Sequence, residues 1–361
     1  MIMQGSKNHL HAVSFPARRT DRVSRPRIPF TRACSLFPFM QLLDDAGAPT
    51  VRFARQANLR IDALDNPEAL VPLHFAHKFV ERAAHSEGIE NLGILAGQRA
   101  SAFDLGFFGQ QLQRALTVYE YLQTGIRLIG ANTSGSRFWI TCEDNDQIRF
   151  NQFSPGQKSA GRCQGDIFTL VVTISMLQRF TSRQWSPKQI KLLHGNEKHL
   201  GDFDALAGAE IITGQSQTSF TLPVSLLQQP IATPSPRAGH IANERQAQPD
   251  GIPADLISSL ESLIATLLGN GNPDIHLAAE AAGMSKRTLQ RRLTESGHNY
   301  NALVTRTRLR IAAERLAETD MQVSEIAASL GYKDASNFTR AFRCQTGVSP
   351  SLYRKKLFLT D

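Results

Sequence analysis

The sequence predicts two domains, an N-terminal α+β domain and a C-terminal all-α domain in which two helix-turn-helix units are joined by a long helix. Three observations carry this. Helical apolar spacing gives way near Ser136 to alternation, the signature of strands. Residues 229–252 hold four prolines and no periodicity. The last hundred residues contain a repeat of helix, glycine turn and helix.

A chain of 361 residues is long for one core and suits two. Apolar residues make up 41% and mean hydropathy is −0.25, values of a soluble globular protein. No run of 18 apolar residues occurs, so no membrane span or membrane partner is expected. The start, MIMQGSKNHLHAVSF, lacks the pattern of a secretory signal. Cys34, Cys142, Cys163 and Cys344 are scattered without a CxxC pair, which fits a reducing compartment and no zinc site. A cytoplasmic protein is expected. The net charge of +8 is uneven: residues 1–35 and 275–361 each carry +6, and 36–274 carry −4. A basic C-terminal segment implies a polyanionic partner.

Residues 1–30 read as a basic, disordered tail, and 31–228 as the α+β domain. FPFMQLLDDAG, ALVPLHFAHKFVERAAHSEG and TVYEYLQTGIRLIG have helical spacing ended by glycine. RFWITCE and QIRFNQF, joined by a DND turn, read as a β-hairpin. A helix over Asp166–Phe180 carries Ile167, Leu170, Val171, Ile174 and Leu177 on one stripe. IKLLHG and AEIITGQSQTSFTLP are strand-like. Residues 229–252 read as a linker whose chain would typically reach roughly 25–30 Å.

From 253 to 361 the pattern is helical. PADLISSLESLIATLL puts Pro253 at a first helical position. AAEAAGMSKRTLQRRL then aligns with AASLGYKDASNFTRAF. Ala279 and Gly283 match Ala327 and Gly331, while Leu289, Arg291 and Leu293 match Phe338, Arg340 and Phe342. A small alanine lets two helices cross closely, and glycine permits a left-handed turn. The helix between the copies, Asn301–Glu318, would be about 27 Å long. That length suits two recognition helices set near one turn of DNA apart, about 34 Å, in successive major grooves of double-stranded DNA.

VSEIAASLGYKDASNFTRAFRCQTGVSPSLYR resembles the signature of the AraC/XylS-type transcription regulators, and GMSKRTLQRRL resembles that family's first unit. More loosely, IPFTRACSLFPFMQLLDDAGAP and LGILAGQRASAFDLGFFG resemble the arabinose-binding-type effector or dimerisation domain attached to some of them. The resemblance implies a sequence-specific regulator, an activator responding to a small molecule, with RNA polymerase and a second copy of the chain as partners. It also implies base contacts at positions corresponding to Arg287, Gln290 and Arg291, and at Ala335, Ser336 and Arg340, with Asn337 and Thr339 near phosphate or base. Lys286 lies beside the same face. By geometry Arg291 would fork onto guanine O6 and N7, and Gln290 onto adenine N6 and N7. Leu289, Leu293, Ile326, Phe338 and Phe342 are read as core. Arg306, Arg308 and Arg310 point in different directions, and Arg310 is spaced to pair with Glu314. Lys355 and Lys356 are read either as phosphate contacts or as a solvated tail.

Enzymatic signals are weak. His74, His77 and Glu81 lack an HExxH pattern, His194 and His199 flank a loop, and LGFFG and GNGNP are not phosphate loops. No GxSxG elbow or nucleophile context surrounds a cysteine, so no catalytic residue, metal or cofactor is expected. Phe103, Phe107, Phe108, Phe138, Trp139 and Phe168 suit a core more readily than a pocket. Sensing, dimerisation or protein binding, and an enzymatic activity remain three readings of the first domain.

Overall fold

The computed structural model describes residues 27–357 apart from 145, 157, 182–184, 194–205, 207, 232–250, 269–272 and 319. Nearly all of the basic tail, most of the linker, and His194 and His199 lie outside the described residues. The chain divides into two compact units, one holding Pro29–Ile252 and the other Pro253–Asp361.

In the first unit β1 (Phe30–Arg32) is followed by α1 (Phe37–Asp45), α2 (Thr50–Gln56) and α3 (Ile61–Leu64). β2 (Leu70–Pro72) pairs antiparallel with β1, Phe30 opposite Pro72. Phe30, assigned by sequence to the tail, is thus a buried strand residue, and ALVP is a strand rather than the start of a helix. Next come α4 (Leu73–Glu87), α5 (Leu92–Arg99), α6 (Gly106–Leu112) and α7 (Val118–Asn132). Gly88 ends α4 in a left-handed conformation, φ 66°. At the start of α7 the Thr117 hydroxyl accepts from the Glu120 N–H while Glu120 accepts from the Leu116 N–H.

The hairpin forms as expected, β3 (Arg137–Cys142) against β4 (Gln147–Phe153). After α8 (Ala160–Phe180) come β5 (Gln189–Lys191), β6 (Glu210–Ile212) and β7 (Thr218–Pro223). These strands form one sheet in the order β3-β4-β7-β5-β6, antiparallel except for β5 with β6. Alternation along β4 splits its two faces. Phe150 stacks between Phe138 and Phe220, with centroids at 5.2 and 5.4 Å. Arg149 faces the other way, donating to both Glu143 oxygens at 2.8 Å and to Gln189 at 2.6 Å. Those bonds from Arg149 lower the Glu143 carboxyl below its usual range.

α8 begins six residues earlier than its apolar stripe suggested, because Ser159 caps it by accepting from the Arg162 N–H. It is buried nearly all round, so its first turns hide charges: Arg162 lies 3.6 Å from Asp166 and donates to the carbonyls of Ser154 and Gly156. Glycines set its distance from α4 and α5. A Cβ on Gly93 would stand 2.3 Å from the Gln164 carbonyl oxygen, and one on Gly161 would stand 1.9 Å from that of His77. The His77 ring lies between Gly156 and Gly165, within ordinary contact of a Cβ at either. Burial lowers its pKa to about 4; Asp166 opposes the shift, and Arg162 and His74 add to it.

The second unit is all-α: α9 (Leu256–Leu268), α10 (Ile275–Ala281), α11 (Lys286–Glu295), α12 (Tyr300–Glu318), α13 (Val323–Ser329), α14 (Ala335–Thr346) and α15 (Pro350–Leu357). Pro253 precedes α9 rather than opening it. Its buried Leu260, Leu263, Ile264 and Leu267 pack against α12.

Two consequences are measurable. Gly93→Ala should lower stability by about 1–3 kcal/mol, since backbone meets the new methyl. Gly130→Ala, whose nearest atom would be 3.9 Å away, should raise it by up to about 1 kcal/mol. Thermal melts of the two variants should therefore move in opposite directions. His77 is neutral in the native chain and protonates more readily when unfolded, so stability should decline as pH falls from about 6.5 to 4, by an amount on the order of 3 kcal/mol. Urea titrations across that window should show a shallower decline for His77→Gln.

Candidate DNA-reading helices and buried cavity

Each helix-turn-helix is built by the same local devices. Gly283 and Gly331 take positive φ of 63° and 77°, turning the chain out of α10 and α13 as the sequence suggested. The next helices are then capped. The Ser285 hydroxyl accepts from the Thr288 N–H, and an Asp334 oxygen accepts from the Asn337 N–H at 2.7 Å. Leu289, Leu293, Ile326, Phe338 and Phe342 are at most 2% exposed, so the apolar half of each amphipathic helix is used for the core.

The opposite faces carry the residues singled out by sequence. Lys286, Arg287, Gln290 and Arg291 are all exposed on α11. Arg291 approaches Glu295 at 3.8 Å with both side chains solvated, and Lys286 lies 3.2 Å from His276. Such contacts are weak and exchange readily with solvent or phosphate. On α14, Ser336, Asn337 and Arg340 are exposed and Thr339 is half-buried. Asn337 is already engaged: its amide donates to Asp334 at 2.6 Å and accepts from Arg340 at 3.2 Å. It positions Arg340 as much as it offers a free group. Sequence reading overlooked Arg343 and Cys344, which share an open surface depression with Ala335, Ser336, Thr339 and Arg340. The signal was available, since Arg343 falls three residues after Arg340.

Other basic residues belong to the scaffold. Arg306 meets Glu261 at 2.7 Å, Arg310 meets Glu314 at 2.7 Å, and Arg308 donates to the Leu330 carbonyl while covering the Tyr332 ring. Arg354 ties α15 to the carbonyls of Leu316 and Met321. Lys355 and Lys356 are exposed.

The first unit contains a cavity of about 130 Å³ between the sheet face carrying Phe138 and Phe150 and the helices α1, α4, α7 and α8. Of the aromatic residues named from sequence, Phe108, Phe138 and Phe168 line it. Phe103 is 56% exposed, Phe107 donates its backbone N–H to Glu68, and Trp139 lies on the other face of β3 from Phe138. His77 lines the cavity, whereas His74 does not, and Glu81 accepts from the Gly161 N–H at 3.4 Å. No group of three or more metal-ligating side chains occurs among the described residues. All four cysteines are free, and burial, reinforced by Glu68, pushes the Cys34 thiol up to about 12. No described helix is long and apolar enough to cross a membrane.

Comparison with known proteins fits both units. Residues 47–231 match the family described as the arabinose-binding domain of AraC transcription regulator, N-terminal, and residues 278–356 match a helix-turn-helix domain family. The chain is 23% identical over 321 residues to the ornithine utilization regulator of Pseudomonas aeruginosa, covering 88% of this chain and 94% of that one. It is 23% identical over 328 residues to the HTH-type transcriptional regulator VirS of Mycobacterium tuberculosis, covering 90% and 96%. The transcriptional activator NphR of Rhodococcus is 40% identical over 78 residues, 22% of this chain and 23% of that one. Among solved structures, the regulator CdpR of Pseudomonas aeruginosa aligns with a TM-score of 0.35 at 20% identity, covering 85% of this chain and 96% of that one. A two-domain chain of α+β and helix-turn-helix units, matched along both by regulator families, belongs to the AraC-type transcription regulators.

Proposed function

We propose that this regulator activates transcription in response to a small molecule held in the first unit's cavity, and that α11 supplies most of its sequence readout. The observation that carries the readout is the division of α11. Leu289 and Leu293 are spent on the core, while Lys286, Arg287, Gln290 and Arg291 all stand exposed on one short helix. Arg291 and Gln290 have the donor and acceptor geometry for guanine and adenine edges. α14 presents Ala335 and Ser336, which are short, beside Arg340 and Arg343, so it leans on phosphate contact and fewer bases. RNA polymerase and a second copy of the chain are the protein partners this reading requires. Burial keeps the Cys34 thiol protonated, so this side chain offers no ready nucleophile. A ligand acts by favouring one arrangement of the domains over another.

Selection of genomic fragments with the full chain at near-physiological salt tests this. A discrete motif with two patches about 10 bp apart is expected. Enrichment of no motif, with binding that vanishes as salt rises, would sink the reading. On the selected site Arg291→Ala should cost about 1–3 kcal/mol and relax preference at one base pair. Arg343→Ala should weaken specific and random DNA alike and reduce the salt slope by about one.

A further inference from the structure

The cavity's walls say what kind of molecule would stabilise it. Resting on the reading that this cavity is the effector site, we propose that it takes a small uncharged molecule, an aromatic body bearing one or two hydrogen-bonding oxygens, of the aryl alcohol type. Charge is the first argument. His77, Tyr121 and Asp166 are the ionisable lining residues, and no Lys, Arg or Glu is among them. Asp166 is already opposed by the guanidinium of Arg162, its neighbour one helical turn away. Burial keeps His77 unprotonated at neutral pH and raises the Tyr121 phenol well above its usual range. A ligand carboxylate or ammonium would therefore be buried without a free counter-charge, an unfavourable transfer.

Hydrogen bonding is the second. Tyr121 and Ser136 are 5% and 6% exposed and line the cavity, yet neither hydroxyl has a hydrogen-bond partner among the described residues. The His77 ring is likewise without one. These hydroxyls and the ring face the cavity, so they are places for a ligand oxygen or hydroxyl. The other polar wall is self-satisfied: Thr31 bonds Ser35 and Thr133, and Asn132 donates to Ser35. A polyhydroxylated ligand would find few open partners there.

Shape and size are the third. Phe39, Phe108, Phe138, Phe150 and Phe168 supply ring walls, and Phe39 and Phe168 lie 4.7 Å apart. The volume of about 130 Å³ is near that of an engineered apolar cavity, about 150 Å³, that admits benzene.

The test uses one carbon skeleton in four charge states and polarities: benzyl alcohol, benzoate, benzylamine and toluene. Each is titrated into the full chain at pH 7, with calorimetry and thermal melting as readouts. Benzyl alcohol should bind at least tenfold more tightly than benzoate or benzylamine. Tyr121→Phe should weaken benzyl alcohol several-fold and leave toluene within twofold. A Cβ at Gly125 would meet Phe138 and Leu112 at 3.7 and 3.8 Å, so Gly125→Leu should abolish binding of both. Equal or tighter binding of benzoate or benzylamine overturns the charge argument, and binding of none of the four overturns the ligand class. A protein that selects its DNA motif but fails with every probe refutes this inference alone. One that binds benzyl alcohol but selects no motif refutes the regulator reading instead.

Discussion

Burying a helix on nearly every side requires that its neighbours come close and that its charges be offset without water, and the N-terminal half of α8 shows how each demand is met. Glycine takes the place of side chains where α4 and α5 press on it, so backbone approaches backbone at Gly93 and Gly161. Arg162 and Asp166 sit in the same turns, and removing either would leave the other as an uncompensated charge. The Arg162 guanidinium also holds the β4–α8 loop through two carbonyls. Sheet, loop and helices thus take their positions from a few turns of one element.

The cavity follows from the same arrangement. Close packing on one flank of α8 is not matched on the flank facing α7, where Gly125 leaves room beside Phe138. Protein interiors ordinarily fill such space. A cavity of about 130 Å³ leaves its apolar walls without the contacts a filled core would give them. Stability given up in the centre of a well-packed unit is stability that a bound molecule restores.

Much of the second unit was legible before any coordinates, because its signals are local. Alanine and glycine at fixed offsets, apolar residues four apart and Ser or Asp caps belong to contiguous stretches, and the repeat doubled them. The first unit was legible in parts. The hairpin and the main helices showed their periods, but the β1–β2 pairing joins Phe30 to Pro72 through contacts no local pattern announces. The roles of Gly93 and Gly161 were not legible, since what they touch, Gln164 and His77, lies tens of residues away. The cavity was hidden for the same reason: Phe108, Phe138 and Phe168 come from three elements, and only the fold separates them from Phe103 and Trp139. Spacing did pair Arg310 with Glu314, but Arg306 and Arg308 are distinguished from Arg291 by partners outside their own helix, Glu261 and the Leu330 carbonyl.

α12 is about 28 Å of uninterrupted helix, held along its length by Glu261, the Leu330 carbonyl and the bond from Arg315 to Ser329. It connects α11 to α14 as a rod with a fixed phase. Loss of a single in-frame codon within it would rotate everything beyond by about 100°. Ser329 would then be turned away from Arg315 and the Leu330 carbonyl from Arg308, so α13 and the α14 that follows it would lose their seat on α12. The buried positions of α12, Thr307, Ala312 and Leu316 among them, set the register, so its exposed positions tolerate a change of residue where a deletion would misplace every position beyond it.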